Sequence, residues 1–151
     1  MAKLVTAWKH CSKYIRLRDA IYWNAVICEQ DIIEVQPELL VVKCCTCPTI
    51  LTWTRMDAGH FLPKSKGSRG QSGVYFDERN IHAQCGECNF YEEGKTLEYR
   101  DFMMERYGPV VIDELRKKDK LIKIYNSVEL KAIAVMYREM FKGLLYEHWR
   151  M

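Results

Sequence analysis

Two cysteine pairs, Cys44-x-x-Cys47 and Cys85-x-x-Cys88, constrain this chain more than any other feature. A C-x-x-C turn presents two sulfurs from one tight loop, at the bite a tetrahedral zinc ion needs. Two such turns, far apart in sequence, cross-link elements that a small domain could not otherwise fix. Structural zinc supplies on the order of 10 kcal/mol of folding free energy in small modules. Cys45 adjoins Cys44, but the spacing selects Cys44 and leaves Cys45 as a small buried residue. A redox or disulfide role would more naturally use one C-x-x-C than two. Cys11 and Cys28 read as core residues.

The remaining composition fits a zinc-stapled domain. The chain has 151 residues, enough for one ordinary domain, and its hydrophobic content of 48% excludes wholesale disorder. No secretory signal is visible and no stretch approaches ~20 apolar residues, so no membrane span is expected. A reducing, cytoplasmic setting follows, where paired cysteines hold metal more often than they form disulfides. Net charge is only +3. The cations are clustered, however, in residues 1–18, 62–74 and 116–123, and such clusters suit a polyanion.

The pattern predicts an α+β domain in three parts: an N-terminal helix and extension over 1–42, a zinc core over 43–95 and a helical part over 96–151. Leu4, Trp8, Cys11 and Ile15 recur at helical spacing over 4–18, with Lys9, Lys13 and Arg16 opposite. Leu39–Val42 reads as a buried strand. Residues 43–61 read as one β-hairpin running through Asp57 to His60. Residues 63–73, rich in Gly, Ser and cations, read as a mobile loop. Val74–Phe76 reads as a strand and 77–80 as a turn. Helices are expected from Thr96 to about Tyr107, from Pro109 to about Lys118, and over 128–146 with Ser127 as N-cap. The last helix carries Leu130, Ile133, Ala134, Tyr137, Phe141, Leu144 and Leu145. That stripe is expected to pack on the domain, with a homodimer interface as the sharper alternative.

Candidate chemistry lies between and just after the cysteine pairs. Phosphodiester hydrolysis needs a polarised water, charge neutralisation at phosphate, and help for the leaving oxygen. One general-base His with one divalent ion can meet all three. His60 follows Gly59, whose missing side chain would let a DNA backbone approach. Asp57 offers a hard oxygen for Mg²⁺ or Mn²⁺. It could instead orient His60. Asn89 follows Cys88 directly, so the zinc knot would fix its carbonyl oxygen as a second ligand. Asn80 can bond the backbone and hold the base-bearing loop. His82 is a second candidate base, with a hydrogen bond inside the turn as its plainer role. Lys64, Lys66 and Arg69 follow His60, and Arg79 adjoins Asn80. These are the candidate DNA contacts, reading shape with strong salt dependence and little sequence preference.

A zinc module framing a His and an Asn in this way is the outline of an HNH-type (ββα-metal) nuclease. More specifically, the chain resembles the lambdoid-phage NinG (Rap) recombination endonucleases. The matching stretches are Tyr14-Ile-Arg-Leu-Arg-Asp19, Cys44-Cys-Thr-Cys47, Asp57-Ala-Gly-His-Phe61, Phe76 to Cys85, and Cys88-Asn89. The resemblance implies a structure-selective endonuclease acting on branched DNA such as D-loops and junctions. The knuckles are also similar to those of the phage endonuclease VII group. That likeness implies a metal-ligand role for the Asn after the last cysteine, here Asn89. Residues 20–42 are longer than the family pattern implies. Many HNH nucleases also have Asp and His adjacent, whereas two residues separate Asp57 from His60. A non-catalytic zinc module that binds nucleic acid or protein is the rival reading. It would need the cysteines and cations but not Asp57, His60 or Asn89. A zinc-dependent redox sensor is a third, and would need labile thiolates.

Overall fold

The computed structural model describes residues 2–151. Helix α1 (Ala2–Tyr22) is longer than the periodicity predicts, because no Gly or Pro interrupts it. Ala7, Cys11, Ile15, Leu17, Ala20 and Ile21 are all buried along it. A wide helical helix-turn, Trp23–Ile27, ends it. There the buried Asn24 amide donates to the carbonyls of Ala20 at 2.8 Å and Val41 at 2.6 Å.

The expected single hairpin over 43–61 is replaced by two strand pairs. β1 (Val41–Lys43) and β2 (Ile50–Thr52) are antiparallel around the first cysteine knuckle. A helical turn at Trp53–Arg55 then breaks the strand, and the Trp53 indole N–H donates to the Pro37 carbonyl at 2.7 Å. β3 (Asp57–His60) pairs instead with β5 (Ile81–Gln84), placing Asp57 opposite Gln84 and His60 opposite Ile81. Indole burial and its hydrogen bond outweigh a continuous hairpin.

Between these strands, 63–73 is tied down rather than free. It carries β4 (Gln71–Ser72), which pairs with β6 (Ile122–Lys123) far along the chain. The Ser72 hydroxyl donates to Asp119 at 2.6 Å, and Lys66 pairs with the same carboxylate at 3.2 Å. Val74–Phe76 is a turn, not a strand. The Tyr75 N–H donates to Ser72 at 3.1 Å and the Asp77 N–H to Val74 at 3.2 Å, which drives Val74 inward.

The C-terminal part holds α2 (Thr96–Arg106), α3 (Pro109–Asp119) and α4 (Ser127–Trp149). The N-cap of α4 is Asn126, one residue before the expected Ser127. Asn126 and Glu129 bond each other's backbone N–H groups at 2.8 and 2.9 Å, a reciprocal cap that contributes about 1 kcal/mol. The stripe of α4 packs inward as expected. Tyr137, Ile133 and Met140 join Cys11, Ile15 and Ile81. Phe141, Leu144, Leu145 and Trp149 pack beside Leu17, Trp53 and the cysteines. Thus α1 and α4 clasp the β3–β5 pair, and α2 and α3 close its other side through Tyr99, Met103 and Leu115. Among the described residues, no helix is long and apolar enough to cross a membrane.

Candidate metal centre and adjoining groove

The first knuckle follows β1, and the second follows β5. The thiol sulfurs of Cys44, Cys47, Cys85 and Cys88 all lie within 4.8 Å of one another, with Cys47 and Cys85 at 3.7 Å. Four thiolates about 2.3 Å from one zinc would stand about 3.8 Å apart, so the cluster is near the required size. The Cys85 N–H points at the Cys44 sulfur at 3.2 Å, and the Thr46 N–H at 3.5 Å, donors that favour a thiolate. Cys45 points elsewhere and packs against the α2–α3 cluster with Phe61 and Tyr99. The donor set and spacing fit a metal such as zinc.

Next to this knot is a groove of about 760 Å³. Asp57, His60, Lys64 and Asn89 line it, all expected from sequence. The Asn89 amide lies 3.2 Å from the Asp57 carboxylate, Nδ2 to Oδ2. The short helical turn Glu87–Tyr91 carries Asn89, and its first N–H groups are fixed by the knot: the Asn89 N–H donates to Cys85 at 2.9 Å.

His60 is held more closely than its position in the sequence implies. Its Nε2 lies 2.9 Å from the Tyr75 carbonyl. A carbonyl only accepts, so Nε2 carries the proton and Nδ1 keeps a free lone pair. The ring stacks on Trp8 with centroids 4.7 Å apart and meets Tyr75 at 5.6 Å. Burial pushes the imidazole down to about 4, although the Tyr75 carbonyl opposes that shift and Lys64 adds to it. At neutral pH the ring is therefore uncharged and able to accept a proton.

Asn80 lies directly behind, fully buried. Its Oδ1 accepts from the Leu62 N–H at 2.8 Å, its Nδ2 donates to the Leu62 carbonyl at 3.0 Å, and its own carbonyl accepts from the Phe61 N–H at 2.8 Å. It locks the chain leaving His60. His82 does not reach the groove. It is 1% exposed, with Nδ1 3.2 Å from Asp19 and Nε2 3.0 Å from the Tyr107 hydroxyl. Burial lowers its pKa, with Asp19 opposing. Gly59 also serves the interior rather than a ligand. A Cβ there would collide with Gln84 Oε1, and Gln84 Nε2 is committed to Thr46 Oγ1 at 2.9 Å and the Gly94 carbonyl at 3.0 Å.

The expected cations divide. Lys64 lines the groove and sits 5.1 Å over the Trp8 ring. Lys66 is paired with Asp119, and Arg79 binds Asp77 at 3.1 Å and Glu114 at 2.6 Å. Arg69 lies on the Gly67–Arg69 turn, outside the groove lining. The residues missed from sequence come from α1. Trp8 and Arg16 form a groove wall, and Arg16 Nη1 donates to the carbonyls of Trp53, Thr54 and Met56, each at 3.3 Å. Arg16 is thus turned inward, not onto the solvated face its periodicity suggests. Arg18 and Asp19, inside the Tyr14–Asp19 stretch, pin β5: Arg18 donates to Glu78 at 3.0 Å and Ile81 at 2.8 Å, and Asp19 accepts from the Ala83 N–H at 2.7 Å.

Residues 5–147 match the family described as Bacteriophage Lambda NinG protein. The chain belongs to the NinG family. It is 36% identical over 138 residues to Protein ninG of Salmonella phage P22, covering 86% of this chain and 61% of that protein. It is 33% identical over 138 residues to Protein ninG of Escherichia phage lambda, again covering 86% and 61%. The chain therefore spans about three fifths of the length of these NinG relatives. No solved structure matches it.

Proposed function

We propose that this NinG-family chain is a metal-dependent DNA endonuclease of the HNH (ββα-metal) type that cuts branched recombination intermediates. The observation that carries the reading is the placement of the His60 ring, with Nε2 2.9 Å from the Tyr75 carbonyl. Its proton is committed to Tyr75, and it shares one groove with the Asp57–Asn89 pair. The succession β3, β5 and the Glu87–Tyr91 turn, stapled by the cysteines, supports it as well.

In this reading His60 Nδ1 takes a proton from water as that water attacks phosphorus. Its Nε2–H stays on the Tyr75 carbonyl, so the ring cannot rotate as charge appears on it. Asp57 and Asn89 would hold one Mg²⁺ or Mn²⁺. Both side chains carry a hard oxygen that suits such an ion; the Asn89 amide now donates Nδ2–H to Asp57 Oδ2, so seating the ion would turn that amide over to present Oδ1. When bound, the ion would neutralise phosphate charge and assist the leaving oxygen. Lys64 adds a cation on the same wall, and Arg16 lies near Asp57 beneath it. Asn80 keeps His60 in register. The zinc cysteines stay structural, and the chain acts within the bacterial host of the phage.

The test is cleavage of linear duplex, three-way junction, four-way junction and D-loop DNA, with Mg²⁺, with Mn²⁺ and with neither. The reading predicts metal-dependent cutting at branch points. Binding of all four without cutting would favour the non-catalytic zinc module instead.

A further inference from the structure

Two aromatic rings beside the groove are left in water. Phe90 is 76% exposed and Tyr91 78% exposed, and they meet edge to face at 5.1 Å. Neither belongs to any of the core clusters. Both follow Asn89 on the Glu87–Tyr91 turn, so one short element carries a groove side chain and an exposed aromatic pair.

This turn is braced. The Glu92 N–H donates to Glu87 at 2.9 Å, and the Gly94 N–H donates to the zinc-knot residue Cys88 at 2.8 Å. Glu93, Gly94 and Lys95 follow at φ 53°, 82° and 50°, a left-handed run that is costly for the two residues with side chains. A braced, strained turn that presents rings to solvent suits a binding surface better than a slack connection.

We propose that Phe90 and Tyr91 form a stacking platform for an unpaired nucleobase next to the phosphate held in the groove. The proposal rests on the reading that the groove takes DNA. Aromatic faces stack on any base but cannot reach one already stacked and paired inside a duplex. The two sides of the site divide the work by charge. Arg55 and Lys64 line the groove and suit the backbone. Glu87 and Glu92 flank the rings in sequence and repel a further phosphate, which leaves a neutral base face as the match, and Glu93 stands where the groove meets this turn. The ligand class is therefore a splayed or single-stranded nucleotide, as at a branch point. That would give this chain a physical means of preferring branched over linear DNA.

The test compares the zinc-loaded wild type, the double variant Phe90→Ala/Tyr91→Ala, and the ring-retaining variant Phe90→Tyr/Tyr91→Phe. Fluorescence anisotropy, without added Mg²⁺ or Mn²⁺, would measure affinity for a single strand, a fork and a blunt duplex. A 2-aminopurine at the branch of the fork would report stacking by its quenching. The expected result is about tenfold or greater loss for single strand and fork in the alanine variant. Duplex affinity and zinc content stay unchanged, the quenching disappears, and the ring-retaining variant behaves as wild type. Unchanged fork affinity, or an equal loss on duplex, would overturn the platform. Loss of self-association with DNA affinity intact would also overturn it and assign the rings to a protein interface. A wild type that binds no DNA of any form would instead overturn the reading of the groove itself.

Discussion

Asn89 Nδ2 lies 3.2 Å from Asp57 Oδ2, joining two groups that stand 32 residues apart in sequence. The contact exists because β3 pairs with β5 and the second knuckle follows β5 at once. The four-cysteine cluster therefore sets the spacing of the two groups proposed to hold the catalytic ion. Asp57→Ala and Asn89→Ala are each expected to raise the Mg²⁺ or Mn²⁺ concentration needed for half-maximal cleavage, by tenfold or more. Zinc content is expected to stay at one ion per chain. A metal titration of the cleavage rate checks this, and an unshifted curve for Asn89→Ala would remove it from the ion's seat.

Cys44 and Cys45 are neighbours with different fates. Cys44 faces the other three sulfurs, and Cys45 packs beside Tyr99. Cys44→Ser is expected to lose zinc and cooperative folding, since the ion carries on the order of 10 kcal/mol in small modules. Cys45→Ser is expected to keep zinc and lose only about 1 kcal/mol. Zinc analysis with thermal melting distinguishes the two. Equal zinc loss in both would make Cys45 a ligand.

Asp19 is buried between Arg18, His82 and the Ala83 N–H, with Arg18 at 2.7 Å. Its carboxyl is held well below the usual range, because Arg18, His82 and the Ala83 N–H together outweigh the cost of burial, the largest single effect. Asp19→Ala strands Arg18 and frees the β5 backbone. The expected cost is about 3 kcal/mol, read as a lower urea midpoint with an unchanged slope. A wild-type midpoint would mean that the network contributes little.

Burial lowers the pKa of both His60 and His82, that of His60 to about 4. The unfolded chain then takes up protons first, near the ordinary imidazole value of about 6.5. The stability linked to His60 is complete above about pH 6.5 and is lost as pH falls toward about 4, and His82 acts in the same direction. Melting temperature should decline over that window, and less steeply in His60→Ala. Cleavage limited by His60 should stay level from about pH 5 upward and fall through about 4. A midpoint near 6.5 in the rate profile would mean that the ring is not desolvated.

What was legible in the sequence was local. The cysteine spacing, the order Asp57–His60–Asn80–Asn89, and all four main helices follow from short-range patterns. The strand pairing was not legible, because Asp57–His60 finds its partner in Ile81–Gln84 and the intervening Trp53 turn depends on an indole bond to Pro37. The α1 wall was missed for the same reason. Trp8 and Arg16 look like one core and one surface residue until α1 is laid against the 53–60 segment. Their signal was present in part, since Arg16, Arg18 and Asp19 all fall in the Tyr14–Asp19 stretch. The α4 cap was legible and misread by one position. Asn126 with Glu129 three residues on is the capping-box spacing, whereas Ser127 has Leu130 there.

The most direct measurement is the single-turnover cleavage rate of an end-labelled branched DNA in Mg²⁺, for wild type and His60→Ala, with zinc content and DNA affinity measured on the same samples. The account predicts a fall of at least about a hundredfold in the variant, with zinc and affinity retained. Equal rates for the two proteins would contradict it.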